Sequence, residues 1–590
     1  MYSNIESVQI VIALLKKFRI KDVVIAPGGS DIPLIHSIET DEFFKCYSIV
    51  DERSAIYFAI GVAQQKNKHV ACVCTSGTAV CNFFPGITEA YYQNVPLIAI
   101  TADKNPYFQG QLETQKIEQS GIFGDKVKCS VTLPIIRTKD DWWLCERLVN
   151  KALLESDHHG NGPVHINIPI VGSTAIYDCK NLPKVRKIER VSLENEILWK
   201  KYHNKLKEKK RILIVIGQNV MFNQDDIKYL NNFFEKYNCV YAVEHLSNVN
   251  CEGRIFTYPL TEMLSNFCGN HIFDELEPEV IISLGNNLSA YDLKKRLRER
   301  YENMEHWLIS ESGNIRDEYK CLTAIFECKP MQFFEKFASN IEELPKVNQH
   351  EYYEQWKRYV DCVDLSELEF SSLYIAQKLA ELIPEKSILH TAILNSTRVM
   401  QFFPLKENVR SYSNVGALGI DGCLSAFLGQ AAATEELAFL LIGDLSFFYD
   451  MNAAGIREVG KNVRILMLNN GGGEEFHFFM GKQNIPTINE YISAAHQKNA
   501  KGWIVSLGYQ YYSVQSKQDF EKIVDILAEK SDKPIFVEVF MDMEKDAKYL
   551  RACYNKYNEK LLPKYINAAK NLVKKLPETQ IKRLQKICKF

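Results

Sequence analysis

Nine short apolar runs, each stopped by glycine, proline or small polar residues, constrain the fold of this chain more than any other feature. They are Asp22–Ala26, His69–Cys74, Pro96–Thr101, Gly162–Ile168, Ile212–Ile216, Val280–Leu284, Ala438–Ile442, Val463–Leu468 and Pro534–Val539. Most are apolar throughout instead of alternating, so they read as strands buried on both faces. Segments with helical spacing, such as Ser7–Phe18 and Ser54–Ala63, lie between them. Buried strands alternating with helices predict an α/β protein built on doubly wound parallel sheets.

Two charged stretches without apolar runs, Leu182–Lys210 and about Glu342–Gln355, divide the pattern into three α/β units. The expected boundaries are 1–182, 195–342 and 356–555, followed by a basic tail at 556–590. The tail carries ten Lys/Arg against two acids, Glu559 and Glu578. Its Ile581, Leu584 and Ile587 recur every three residues, which suits an amphipathic helix docked on the third unit.

Composition excludes several classes. A net charge of −2 over 590 residues gives no overall attraction for nucleic acid or anionic lipid. At 46% hydrophobic the chain is not disordered. No apolar run is long enough to span a membrane, and the start lacks a signal-peptide pattern. The sixteen cysteines form no C-x-x-C pair, and several sit in apolar runs, so they read as reduced, buried thiols without zinc. A cytoplasmic location is the expectation.

The most informative segment follows the strand ending at Ile442. It reads Gly443-Asp444-Leu445-Ser446-Phe447, and 25 residues separate Asp444 from Asn470, which precedes Gly471-Gly472-Gly473. Two consecutive strand ends thus present a carboxylate and a carboxamide at the edge where parallel sheets bind ligands. Hard oxygens of this kind suit Mg²⁺, and the small residues beside them let backbone amides approach a diphosphate. In the first unit, Val50-Asp51-Glu52-Arg53 places an acid before an apolar helix.

These residues, together with Thr75-Ser76-Gly77-Thr78, Leu97–Asp103, Gly162–Asn167, Tyr412–Asn414 and Gly419-Ile420-Asp421-Gly422, resemble thiamine diphosphate enzymes. Over about residues 5–550 the chain is similar to the succinyl-enolpyruvyl-hydroxy-cyclohexene-carboxylate synthase family of menaquinone biosynthesis. The resemblance implies pyrimidine-binding, central and diphosphate-binding domains, in that order. It implies Glu52 as the catalytic acid beside the aminopyrimidine, and Ile420 as the apolar wedge beneath the cofactor. Asp444, Asn470 and the carbonyl of Gly472 would hold Mg²⁺. Thr78, Asn395, Ser396, Gly443, Leu445 and Ser446 would complete the cofactor site. It further implies decarboxylation of a 2-oxo acid through a C2 ylid and an enamine, in a homodimer or homotetramer with sites between subunits.

The substrate positions depart from that family. Its arginines fall here on Ser30, Lys104, near Asp292, near Met400 and on Val415, while Arg398 lies close by. The apolar residue after the glycines falls near Glu474 or Glu475. Ser30, Asp31, Lys104, Gln115, Arg398 and Glu475 are therefore the candidate substrate residues. Each lost charge-assisted bond is worth roughly 1.5–3 kcal/mol. The expectation is a thiamine-dependent decarboxylase-carboligase with substrates other than 2-oxoglutarate and isochorismate. The synthase itself, with a rearranged anion site, is the alternative. A non-catalytic scaffold and a flavin-binding acetolactate-type enzyme are lesser readings.

Overall fold

The computed structural model describes the chain except for residues 172–174, 219, 265, 290, 340–349, 479–486 and 574–590, with backbone alone at 266–267, 339 and 562–573. Two compact units emerge. The first is Met1–Ser192 with Gly313–Ile325, and the second is Leu193–Ser312 with the chain from Phe326 onward.

The first unit holds a sheet of β1 (Asp22–Ala26), β2 (Lys45–Ser48), β3 (Val70–Cys74), β4 (Leu97–Asp103), β5 (Cys129–Thr132) and β6 (Val164–Pro169). Their order is β2-β1-β3-β4-β6-β5, all parallel. Every residue of β1, β3, β4 and β6 is buried, as continuous apolar runs require. β7 (Glu189–Ser192) closes the segment and lies beside β13 (Leu322–Glu327). Two apolar layers cover the sheet. One packs Glu6–Lys17 and Lys139–Glu155 against it, and the other packs Glu52–Lys66 and Thr78–Tyr92.

The second unit contains β8 (Ile212–Ile216), β9 (Cys239–Val243), β10 (Arg254–Phe256), β11 (Val280–Leu284) and β12 (Glu305–Ile309), parallel in the order β10-β9-β8-β11-β12. A further sheet follows, with β14 (Ile388–Thr391), β15 (Arg410–Tyr412), β16 (Ala438–Gly443), β17 (Val463–Asn469), β18 (Gln510–Val514) and β19 (Ile535–Phe540). It runs β15-β14-β16-β17-β19-β18, again all parallel.

In each sheet the chain winds outward one way, then returns past its first strand to wind the other way. The switch points lie between β1 and β3, β8 and β11, and β14 and β16. Loops leaving the strand ends diverge there, and such crevices are the ligand sites of open α/β sheets. The expected α/β class with doubly wound parallel sheets is what the chain adopts.

The last helix, Met543–Val573, passes without a break through the boundary expected at 555. It is docked where its side chains are described: Tyr557 is buried and donates to the Tyr359 carbonyl at 3.1 Å, and Asn558 donates to the Met263 carbonyl at 2.6 Å. Ile581, Leu584 and Ile587 of the expected amphipathic pattern lie outside the described residues. The described cysteines are free thiols, most of them buried. Among the described residues, no helix is long and apolar enough to cross a membrane.

Candidate active site

In the first unit, the switch point brings the β1 and β3 loops together. The Ser30 amide donates to Thr75 Oγ1 at 3.0 Å, and the Ser30 and Ser76 hydroxyls are 3.0 Å apart. A Cβ at Gly28 would meet Thr75 at 2.4 Å, so this approach demands glycine. A cleft of about 560 Å³ opens beside them, lined by Ser30, Ile32, Lys104, Phe108, Glu113 and Tyr177 among others. Ser30 and Lys104 thus share one cleft. Lys104 is engaged there by Thr114 Oγ1 at 3.1 Å and Glu113 at 3.4 Å.

Asp31 is turned inward and has no exposed surface. Its Oδ1 accepts the Gly28 amide at 2.9 Å, and Oδ2 has no partner among the described residues. Burial pushes its pKa up to about 7, the Gly28 bond opposing the rise and the Glu52 carboxyl adding to it. Glu52 opens the helix Glu52–Lys66, behind Asp51, whose side chain caps the Ser54 amide at 2.7 Å. Thr78 opens the next helix, after Gly77.

Beneath this loop lies a polar network that sequence reasoning missed. Gln119 accepts the Gly77 amide at 3.0 Å and donates to Asn167 at 2.9 Å. Asn167 donates to Asp103 at 3.0 Å, and Asp103 forms a buried ion pair with Lys116 at 2.8 Å. Gln115 sits on the exposed side of the same loop, with φ 53°, against Gly77. Asn167 and Asp103 lie on strands and read as part of the resemblance; their partnership through Gln119 had no local signal.

In the second unit, Asp444 and Asn470 meet at the edge of the last sheet. β16 and β17 pair up to Gly443 with Leu468, which sets the two residues just past neighbouring strand ends. Asp444 is 2% exposed. Its Oδ1 accepts the Leu445 amide at 2.6 Å, and its Oδ2 accepts the Gly471 and Gly472 amides at 2.7 and 3.1 Å. Asn470 Oδ1 has a long 3.3 Å contact with the Gly472 amide, and Nδ2 donates to Glu474 Oε2 at 2.7 Å. A Cβ on Gly472 would fall 2.8 Å from the Ser493 carbonyl, so no larger residue fits this turn. The segment 493–496 closes over it: the Gly473 amide donates to the Ser493 carbonyl at 2.7 Å, and the His496 amide to the Gly471 carbonyl at 2.8 Å.

This donor set suits a small hard cation. An ionised carboxylate has about four lone-pair positions, and three are used at Asp444. Asn470 Oδ1 is barely engaged, and the Gly472 carbonyl accepts one bond, from the Glu474 amide at 3.1 Å. His496 Nδ1 accepts the Lys498 amide at 3.1 Å, which leaves the proton on Nε2, 3.4 Å from Asp444 Oδ2. The oxygens of Asp444, Asn470 and Gly472 are of the kind that Mg²⁺ prefers.

Around this point, Ser446 Oγ donates to the Ile420 carbonyl at 2.6 Å, holding the half-buried Ile420 in place. Asn395 and Ser396 open a helix behind Leu394, whose φ of 63° is unusual for a branched residue. Such conformations are held only by their surroundings and cluster at functional sites. Arg398 forms an ion pair with Glu475, so these two candidate substrate residues are joined to each other. Met400 is fully buried and Val415 nearly so. Two further acids lie near Arg398: burial pushes Glu262 up to about 8, the Asp292 carboxyl adding to the rise.

The pairing of Glu474 with Asp546 is not legible in the sequence. Both are buried at about 5% exposure. Burial, then the Asp546 carboxyl, raises the Glu474 pKa well above the usual range. Burial raises the Asp546 pKa as well, and Glu474 Oε1 and Asp546 Oδ2 each lack a donor among the described residues. A cleft of about 850 Å³, lined by Asn470, Gly471, His496, Asp542, Asp546 and Tyr549 among others, opens at the ends of β17 and β19.

The thiamine pyrophosphate enzyme N-terminal TPP-binding domain family matches residues 5–122. A 2-succinyl-5-enolpyruvyl-6-hydroxy-3-cyclohexene-1-carboxylate synthase from Phocaeicola vulgatus is 36% identical over 94% of this chain and 99% of its own length. The enzyme of that name from Bacteroides thetaiotaomicron is 37% identical over 95% of this chain and all of its own length. One from Desulfotalea psychrophila is 30% identical over 89% of this chain and 96% of its own. With likeness across nearly the whole length, the chain belongs to the 2-succinyl-5-enolpyruvyl-6-hydroxy-3-cyclohexene-1-carboxylate synthase family of thiamine diphosphate-dependent enzymes.

Proposed function

We propose that this protein is a Mg²⁺- and thiamine diphosphate-dependent carboligase with the synthase activity of its relatives, joining a 2-oxoglutarate-derived fragment to isochorismate. The observation that carries the cofactor reading is the turn where the buried Asp444 Oδ2 and Asn470 Oδ1 both meet the Gly472 amide. In this reading 1–182, 195–342 and 356–555 serve as the pyrimidine-binding, central and diphosphate-binding domains.

When bound, thiamine diphosphate supplies the electron sink that lets a 2-oxo acid lose CO₂ and pass on its remaining fragment. The chain's residues do the rest. Glu52 would stand beside the aminopyrimidine as the group that passes a proton to and from it. Asp444, Asn470 and the Gly472 carbonyl would hold the cation, and Gly443, Leu445, Ser446, Asn395 and Ser396 would line the diphosphate. Ile420, whose carbonyl accepts the Ser446 hydroxyl, would be the apolar support of the cofactor. Thr78 lies beside Glu52's helix and completes the pyrimidine side.

Identity of 36% and 37% over nearly the whole chain to enzymes named as the synthase supports this activity over an unrelated substrate pair. A second reading, different substrates, is favoured by one observation: the Arg398 guanidinium is taken by Glu475 instead of being free for a substrate carboxylate. Purified protein with 2-oxoglutarate, isochorismate, Mg²⁺ and thiamine diphosphate is expected to form the adduct and release CO₂ only when both substrates are present. CO₂ release from other 2-oxo acids, with isochorismate ignored, would move the assignment to the second reading. No heat on titration with Mg²⁺ and thiamine diphosphate would leave a scaffold.

We also propose self-association. Tyr57 and Phe58 on one helix and Phe84 on the next are each more than 40% exposed, an apolar patch that a partner subunit would cover. Light scattering after gel filtration is expected to give a mass of about 136 kDa or a multiple, twice the 67.9 kDa chain. A particle of one chain's mass at micromolar concentration would count against it.

A further inference from the structure

Glu474 follows the three glycines directly and opens the short helix Glu474–Phe478. A charged residue this deeply buried is normally tied to specific partners. Glu474 has three. Its Oε2 accepts the Asn470 Nδ2–H at 2.7 Å, the Asn395 side chain bonds to it as well, and its other oxygen faces Asp546. Asp546 is itself anchored, its Oδ1 accepting the Ser372 amide at 3.0 Å.

This arrangement bears on which atom Asn470 presents. A carboxamide has a donor end and an acceptor end of nearly the same shape, and only its hydrogen-bond partners decide its orientation. With Nδ2 tied to Glu474, Oδ1 is left on the side of Gly472 and Asp444. An apolar residue at 474 would leave Nδ2 without this acceptor, and a rotated amide would turn N–H toward a cation.

We propose that Glu474 is a positioning residue for the metal centre: it anchors the amide of Asn470 so that Oδ1 faces the cation, and Asp546 holds Glu474 in place. This rests on the reading of Asp444, Asn470 and Gly472 as the metal donors. Outer partners of metal ligands are typically worth 10- to 100-fold in metal affinity.

The test is Mn²⁺ binding by the full chain in the presence of thiamine diphosphate, read by electron paramagnetic resonance without turnover. Glu474→Leu is expected to bind Mn²⁺ about 10- to 100-fold more weakly than wild type. Glu474→Gln is expected to stay within about threefold, because its Oε1 still accepts from Asn470 and its Nε2 donates to Asp546. Thermal melts of the metal-free chains establish that each variant is folded. Should Glu474→Leu fail to fold, adding Asp546→Asn removes the carboxylate left unpaired, and the double variant carries the same expectation. A folded Leu variant with wild-type Mn²⁺ affinity overturns the proposal, as does a Gln variant as weak as Leu. A wild-type chain that binds no Mn²⁺ overturns the metal centre itself, and this role with it. Loss in the wild type, instead of in the variant alone, tells those two failures apart.

Discussion

Glu52→Gln is expected to lower turnover by about 10²- to 10⁴-fold, the usual contribution of a positioned acid or base, while thiamine diphosphate still binds. The substitution is conservative in every respect but one. Gln matches Glu in shape, and the helix start stays capped because Asp51, not Glu52, accepts the Ser54 amide. The lost helix-dipole interaction of one acid is worth about 0.3–1 kcal/mol, too little to unfold the unit. What disappears is the exchangeable proton. Steady-state kcat and a calorimetric titration of Mg²⁺ and thiamine diphosphate on the same preparation separate the two effects. Wild-type kcat from the Gln variant would remove Glu52 from the mechanism; loss of cofactor binding with loss of turnover would make it a binding residue.

Asp444→Ala is expected to fail earlier, at binding. Mg²⁺ and diphosphate affinity should fall by on the order of 100-fold or more, beyond the range seen for outer partners of a metal ligand. The carboxylate has a second task that makes the loss larger. It accepts the Leu445, Gly471 and Gly472 amides, so Ala leaves the first two N–H groups without this acceptor and the third with only its long contact to Asn470 Oδ1. Each such loss costs about 1–3 kcal/mol where water cannot replace the bond. The metal-free variant should therefore melt below wild type as well as bind cofactor poorly. Asp444→Asn, which keeps a carbonyl acceptor but loses the charge, should recover part of the melting temperature and little of the Mg²⁺ affinity. Unchanged cofactor titration in Asp444→Ala would contradict the assignment of the site.

The family resemblance points to these two residues in the sequence, and each sits at a position that the chain also marks locally. Asp444 follows a buried strand directly, and Glu52 stands before an apolar helix. The strands themselves are legible for the same reason: Val70–Cys74 and Ala438–Gly443 lie inside sheets covered on both sides, so burial imprints a continuous apolar run. The edge strands are not. Lys45–Ser48 is mostly exposed, and Arg410–Tyr412 is three residues long, so neither carries a hydrophobic signature. The helix Met543–Val573 crosses an expected boundary because a rise in basic residues marks a change of surface and leaves backbone continuity untouched.

The substrate candidates show the opposite case. A reading residue by residue treats Arg398 and Glu475 as one cation and one anion available to a ligand, yet they neutralise each other across 77 positions. Asp31 reads as a cleft acid, and the fold turns its carboxyl back onto the Gly28 amide.

The sequence alone marked the buried strands and the α/β class, because these depend on local burial, and its likeness to a family pointed to thiamine diphosphate and to Glu52, Asp444 and Asn470 as candidates. Only the tertiary structure decided how Asn470 is oriented, which carboxyls are buried, and which charges are already spent. Those depend on partners such as Glu474 with Asp546, or Gln119 with Asn167, that come together through packing. No periodicity or spacing along the chain encodes a hydrogen bond between side chains 48 or 72 residues apart.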